Sequence, residues 1–590
     1  MTLHYAIRPA HPGAHLFHVT VTVERPTAEG QIFTLPAWIP GSYMIREFAR
    51  NIVQVAALAG EERVPVEKLD KHTWRVPALG EEAGPLTLAY EVYAWDLSVR
   101  TAHLDQTHGF FNGTSVFLLP AGLEDEPVKL DILPPEGEAF AAWRVATGLK
   151  PARGTKRHAF GTYTAANYDE LIDCPVEMGE FALASFKAHG VPHDVVITGR
   201  VPNLDIKRLT EDLQRVCEAQ IELFEPKTHA APFERYTFMT LAVGEGYGGL
   251  EHRNSTALIA KRDDLPFVGM EETTEGYRQF LGLASHEYFH SWNVKRIKPA
   301  AFVPYDLTAE AHTSLLWVFE GFTSYYDDLM LLRSGLISEA QYLEMLAKTL
   351  STVQGGSGRL KQSVAESSFD AWIKYYRQDE NSPNAIVSYY QKGSLVALVL
   401  DLTIRAETKG KKSLDDVMRR LWALHQEAGA DYAGLGEDEL AEVVFDATGL
   451  DLAQLIAELS EGTQDPDYAK LLGAFGVEMK TQPESLVRTR LGVKLAGNGE
   501  AQIAHVYDGG AAQAAGLSAG DVIIALDGLR APSAKVEAML GRYTAGQSVA
   551  IAAFRRDELM NFTLSLADEG PGKVSLTASG KNKLRAAWLA

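Results

Sequence analysis

The chain has 590 residues, with 56 Lys and Arg against 77 Asp and Glu, for a formal net charge of −21. A chain this acidic repels phosphate backbones and anionic lipid, so neither nucleic acid nor a membrane surface is an expected partner. Hydrophobic residues at 46% and charged residues at 23% make an ordinary globular mixture, which excludes disordered and collagen-like classes.

At roughly 150 residues per domain the length predicts three or four domains. The apolar stretch Ser394–Leu400 is closed by Asp401. It is far short of the roughly 18 residues that span a bilayer, so no transmembrane helix is expected. Two cysteines, Cys174 and Cys217, exclude a disulfide-stapled scaffold and read as small buried residues. The first residues, Met1-Thr-Leu-His-Tyr5, lack a charged segment followed by an apolar core. The expected location is therefore the cytoplasm, or the periplasm if a leader has been removed.

Residues 1–170 read as strands. His15–Glu24 and Leu86–Trp95 alternate apolar and polar residues, and Pro40-Gly41 and Asn112-Gly113 punctuate as turns. The pattern predicts an antiparallel β-sandwich, whose loops are open to binding or lid roles. From residue 171 the period changes. Leu209, Leu213, Val216 and Ile221 recur at helical spacing, Arg235–Val243 reads as a strand, and a helix-rich region runs from about Glu275 to Glu461. Gly355-Gly-Ser-Gly358 interrupts it as a flexible loop. Residues 171–480 form the expected central domain, 481–575 return to strands and turns, and 576–590 form a tail. The fold class is multidomain α+β.

The sharpest motif is His286-Glu287-Tyr288-Phe289-His290. Histidines at i and i+4 share one helix face, where both imidazoles reach one zinc ion, and Glu287 sits beside the water that such a metal acidifies. A third protein ligand is needed. Glu320 is the candidate: an acid inside the apolar run Leu316-Trp-Val-Phe-Glu-Gly-Phe322 on a second helical stretch, where a lone carboxylate needs a cation partner. Lys298–Ala311 reads as the loop between the two ligand helices.

HExxH followed by a glutamate on a later helix resembles the thermolysin-like zinc peptidases. Glu320-Gly-Phe-Thr-Ser-Tyr-Tyr326 resembles the zinc aminopeptidases. His286–Pro299 and Pro40–Ala49 look like the glycyl aminopeptidase family, which couples such a domain to a PDZ domain. The resemblance implies a thermolysin-like catalytic domain and one zinc ion per chain held by His286, His290 and Glu320. It also implies peptide substrates with a free N-terminus and a preference for N-terminal Gly or Ala. Glu287 would take a proton from water and return it to the leaving amine. Tyr390, in Tyr390-Gln-Lys-Gly393, matches the tyrosine whose hydroxyl binds the oxyanion, with Tyr389 as the alternative donor.

Gly244-Glu-Gly-Tyr-Gly-Gly-Leu-Glu-His252 contains a formal GxGxxG, but Asn254–Ala260 after it reads as strand rather than the helix a dinucleotide site requires. An edge strand that pairs with an extended peptide is the better reading. Gly248-Gly249-Leu-Glu251-His resembles the aminopeptidase Gly-Gly-Met-Glu-Asn motif, which implies that Glu251 binds the substrate ammonium.

Residues 509–528, with Ala515-Gly-Leu-Ser-Ala-Gly-Asp-Val-Ile523, resemble the PDZ domains of bacterial proteases. Leu491-Gly492-Val493 would be the loop that takes a peptide C-terminus, and a purely structural module is the alternative. The chain's own end, Ala587–Ala590, is a candidate occupant of that groove. The basic run Lys295, Arg296, Lys298 reads as a solvated face or an ion-pair network. Other functional readings are a zinc endopeptidase with PDZ-tethered substrates and a non-enzymatic adaptor with a degenerate peptidase domain.

Overall fold

The computed structural model describes residues 2–79, 84–482, 484–497, 499–567 and 572–590. They form two compact units, one of residues 1–311 with 422–434 and one of residues 312–421 with 435–590.

In the first unit, the N-terminal third is the expected β-sandwich. Leu16–Val23 pairs antiparallel with Leu86–Tyr93 inside an eight-stranded sheet. Its inward residues, Phe17, Val19, Val21, Leu88 and Tyr90 among them, join one core with Phe33, Trp74 and Phe111. Period-two alternation thus buries one face of each strand, as the sequence pattern requires. Tyr90 and Tyr5 reach backbone carbonyls at 2.8 Å with their hydroxyls, so each ring is buried without stranding its polar end.

The same unit then builds a five-stranded mixed sheet. Phe181–Ala188 is antiparallel to Val191–Thr198; Tyr236–Val243 and Ser255–Lys261 follow in parallel; Gly248–Glu251 closes the sheet as an antiparallel edge. Helix Ile206–Phe224 makes the parallel crossover, started by Asp205, whose side chain accepts from the Arg208 N–H. Helix Glu275–Phe289 starts at Thr274, which caps the Tyr277 N–H, and packs on the edge strand and its neighbour. Strand, not helix, follows the glycine-rich turn, which excludes the dinucleotide reading.

In the second unit, helix Gln391–Glu407 is buried on nearly all sides, which explains its unbroken apolar run. Asp401 inside it is fully buried, paired with Arg405 at 3.0 Å and accepting from the Tyr325 hydroxyl at 2.6 Å. Gly355 ends helix Glu339–Gly355, and Ser357–Leu360 then turns as a 3-10 helix, so the expected flexible loop is structured. The PDZ domain has its own core of Leu491, Ile503, Ile523, Leu540 and Ile551. Val477–Gln482 before it pairs antiparallel with Lys573–Ala578 after it. That strand crosses the expected boundary at residue 575.

The expected tail ends in a helix, Lys583–Leu589. Trp588 is fully buried against Tyr342 and Phe475 and donates to the Tyr325 hydroxyl at 2.9 Å, and Arg405 donates to the Ala587 carbonyl at 2.6 Å. The idea that the C-terminus fills the PDZ groove is therefore corrected. An indole needs a deep apolar site with one polar contact, and the helices supply it.

Candidate active site

The HExxH helix presents its two histidines as the spacing demands. His290 Nδ1 lies 2.7 Å from the Asn293 carbonyl, which fixes that nitrogen as the protonated one and leaves Nε2 to face the neighbouring ring. His290 Nε2 and His286 Nε2 stand 3.1 Å apart. Two imidazole nitrogens on one tetrahedral zinc, each at about 2.0–2.1 Å, would stand about 3.4 Å apart, so the pair fits that ion with little movement.

Two carboxylates converge on the same place. One ligating atom each of Glu251, Glu287 and His290 lies within 4.8 Å of the others, and all three residues are buried. Glu251 comes from the edge strand and Glu287 from the helix packed on it. Glu251 Oε1 is buried and has no hydrogen-bond partner among the described residues. Paired buried carboxylates of this kind require cations. A metal and a substrate ammonium are cations of the right kind.

Two glycines shape this pocket. A Cβ on Gly249 would fall 2.1 Å from Glu287 Oε1, so the missing side chain leaves the Glu287 carboxylate its place against the edge strand. Gly41, in the sandwich turn after Pro40, has φ +93°, and a Cβ there would fall 2.5 Å from both Glu251 oxygens. The sandwich thus walls the Glu251 carboxylate. Sequence reasoning about the chemistry missed Gly41; the signal was the Pro40–Ala49 run.

Behind the site, the basic run is not a solvated face: Lys295 enters an ion-pair network, Arg296 donates to backbone carbonyls and Lys298 lies over the Tyr305 ring. Lys295 is buried and pairs with Asp173 at 2.6 Å, and Arg253 joins the same carboxylate at 2.7 Å. Burial would push Asp173 up, yet Lys295 and Arg253 hold it well below the usual carboxylate range. The Lys295 N–H also donates to the His290 carbonyl at 3.1 Å, tying the network to the turn after the HExxH helix.

Comparison with known proteins decides the family. The Peptidase M61 N-terminal domain profile matches residues 4–180, the M61 glycyl aminopeptidase profile residues 279–396 and a PDZ profile residues 480–545. The chain is also similar to an aminopeptidase N family protein from Idiomarina loihiensis, at 41% identity and TM-score 0.94 over 100% of both chains. The chain belongs to the M61 glycyl aminopeptidase family. It is a zinc metallopeptidase of the aminopeptidase kind. An M1 zinc metallopeptidase from Deinococcus radiodurans aligns more distantly, at 15% identity and TM-score 0.48 over 79% of this chain and 94% of that one. No curated protein matches.

In the second unit of this M61 peptidase, Glu320 sits in a π-helical turn, Trp317–Gly321, that runs into helix Phe322–Arg333. The stretch is helical as expected, and its wider first turn is a local re-aiming of side chains of the kind found at functional sites. Glu320 is 1% exposed. Gly321 meets Gly393 with no room for a side chain, since a Cβ on Gly321 would fall 2.6 Å from the Gly393 backbone. That contact sets the Glu320 turn against the start of helix Gln391–Glu407 and brings it near a tyrosine cluster. Tyr389 and Tyr390 stack at 4.6 Å, and the Tyr390 hydroxyl lies 3.3 Å from that of Tyr376. Burial, together with nearby tyrosines and the Glu320 charge, raises the Tyr389 hydroxyl well above its ordinary value, so it stays a donor at all working pH.

The PDZ loop departs from expectation. Leu491 ends a π-helical turn, Val487–Leu491, and the Gly492 N–H already donates to the Arg488 carbonyl at 3.2 Å. The Leu486 and Val487 N–H groups donate to the Glu537 carboxylate at 2.7 and 3.1 Å. Strand Val493–Leu495 keeps one free edge, being paired only with Ile503–Val506 among the described residues.

Proposed function

We propose that this M61 peptidase removes the N-terminal residue of peptides, preferring Gly or Ala, at a centre holding one zinc ion through His286, His290 and Glu320. The observation that carries the reading is the facing imidazole pair with Glu287 and Glu251 beside it. The family name supports the glycine preference. Support for Glu320 is its burial in an apolar turn and its place inside the matched region 279–396.

Zinc, when bound there, polarises the scissile carbonyl and acidifies water. Glu287 takes the proton from the attacking water and returns it to the departing amine. Glu251 binds the substrate ammonium through a charge-assisted hydrogen bond, which sets the distance from the N-terminus to the cleaved bond. The backbone of Gly248 and Gly249, on the open edge of the sheet, pairs with the extended substrate. Tyr390, or Tyr389 next to it, donates to the oxygen that gains charge. Peptides with free C-termini are the matching ligand class for the open PDZ edge. The two free, buried cysteines suit a cytoplasmic location. No helix among the described residues is long and apolar enough to cross a membrane.

The test is a cleavage profile on peptide and anilide libraries with free and N-acetylated ends, run on chelated and zinc-restored protein. Cleavage of free Gly and Ala ends, restored by zinc and abolished by acetylation, is expected. Equal cleavage of acetylated peptides would replace this reading with an endopeptidase. In parallel, elemental analysis of Glu320→Gln should show zinc lost from this centre; full retention removes Glu320 from the ligand set.

A further inference from the structure

The N-terminal domain carries a second cluster of metal-ligating side chains, remote in sequence from the HExxH motif and unused by the peptidase chemistry. His103 and His108 flank a hairpin turn: strand Ala102–Leu104 pairs with His108–Phe111, and Asp105 lies in the turn between them. Phe110 stands opposite both His103 and Glu177 in the same four-stranded sheet. Side chains two apart share a face, so His103, His108 and Glu177 project on one side of it.

Asp105 and His108 are held in the orientation a metal site needs. Asp105 Oδ1 accepts from the Thr107 N–H at 2.6 Å, the Thr107 hydroxyl at 2.6 Å and the His108 N–H at 3.1 Å, which leaves Oδ2 to face His103 Nε2 at 3.3 Å. His108 Nδ1 lies 3.2 Å from Glu177 Oε1, which also accepts from the Thr198 hydroxyl at 3.0 Å. A carboxylate behind an imidazole is the usual support of a metal-binding histidine, and here it leaves Nε2 as the ligating atom.

His103 and His108 are 4% and 5% exposed, and their rings lie 4.9 Å apart. One ligating atom each of His103, Asp105 and His108 lies within 4.8 Å of the others. His103 Nδ1 is buried and has no hydrogen-bond partner among the described residues. All three residues line a cleft of about 900 Å³ shared with Trp95, Trp143 and Arg200.

We propose that His103, Asp105 and His108 form a second metal site, which binds a divalent transition ion of the zinc class and leaves an open coordination position toward this cleft. Two imidazoles and one carboxylate select zinc, cobalt or nickel over calcium and magnesium, which prefer all-oxygen shells. Three protein ligands with room for water is the arrangement of an exchangeable site rather than a closed structural one.

The test counts bound metal on the full chain. Chelator-stripped protein is loaded with Zn²⁺ or Co²⁺, dialysed and analysed for metal per chain. Wild-type protein should hold two equivalents; His103→Gln and Asp105→Asn should each hold one and keep hydrolysing peptides. In a His286→Gln/His290→Gln background, Co²⁺ should still give visible d–d absorption, which disappears when His103→Gln is added. The near-isosteric Asp105→Asn covers the case in which His103→Gln misfolds, with circular dichroism as the check. One equivalent in the wild type, lost on changing His286 and His290, overturns the proposal. So does a second equivalent that survives Asp105→Asn, since it would then sit elsewhere, for example at His189, Glu222 and His229.

Discussion

Gly249→Ala is the sharpest probe of the catalytic reading. Gly249 lies in the edge strand at an ordinary backbone conformation, so alanine is tolerated there by the chain itself. Removing a glycine also narrows the unfolded ensemble, worth about 0.4–1 kcal/mol of stability where the native conformation permits it. The new Cβ, however, would sit 2.1 Å from Glu287 Oε1, 2.5 Å from its Cδ and 2.7 Å from its Cγ, against ordinary contact from 3.4 Å. The Glu287 carboxylate is the far end of a flexible side chain and gives way, retreating by about 1 Å or more. A displacement of that size costs about 10²-fold in rate, and complete loss of a general base costs about 10²–10⁴-fold. The expected outcome is a protein with unchanged or raised melting temperature, full zinc content and kcat down by about 10² or more. The assay is hydrolysis of a Gly-anilide at saturation, with melting and metal analysis on the same sample. A kcat within about threefold of the parent refutes the placement of Glu287 as the base. A rate loss accompanied by loss of metal or of fold would refute the steric argument.

Tyr390→Phe should lower kcat by about 10²-fold or more with little change in KM, as loss of one oxyanion donor does; if Tyr389→Phe shows that loss instead, the donor is its neighbour. Glu251→Gln should weaken selection for a free N-terminus, so the ratio of free to acetylated peptide cleavage falls at least about tenfold; an unchanged ratio removes Glu251 from ammonium binding. His193 lies under the HExxH helix, 2.9 Å from the Tyr288 hydroxyl, and burial lowers it to about 4. Its unfolded form takes a proton near 6.5, so the folded state loses stability as pH falls from about 6.5 to 4. His193→Gln should flatten the melting temperature across that window, and an unaltered slope would place the acid sensitivity elsewhere. Trp588→Ala should cost about 3–5 kcal/mol in the unfolding of the second unit, as deletion of a buried indole does, measured by denaturant titration. A cost below about 1 kcal/mol would mean that the terminal helix is not part of that core.

What could be read from the residues is what local chemistry controls. The strands Leu16–Val23 and Tyr236–Val243 follow from alternation and β-branching, and helix Ile206–Phe224 from its apolar spacing. The facing pair His286 and His290 was legible because two imidazoles one helical turn apart leave a mark in the sequence. Gly41 was not, because its role is defined by a carboxylate two hundred residues away in the chain. The π-helical turn at Glu320 left no mark either, nor did the tertiary contact made at its end, where Gly321 meets Gly393. The PDZ sequence was recognisable, whereas the capture of the Leu486 and Val487 N–H groups by Glu537 depends on a side chain fifty residues further on.

The strand pair around the PDZ domain has a consequence for how this protein could be rebuilt. Gln482 is registered with Lys573, so the two ends of the module leave the helical part side by side. A domain with adjacent ends can be excised and its stubs joined by a short turn, or exchanged for another of similar size. The module is thus an insertion rather than an appendage. The segment after it is not dispensable trailing sequence, because it carries the indole that completes the helical core.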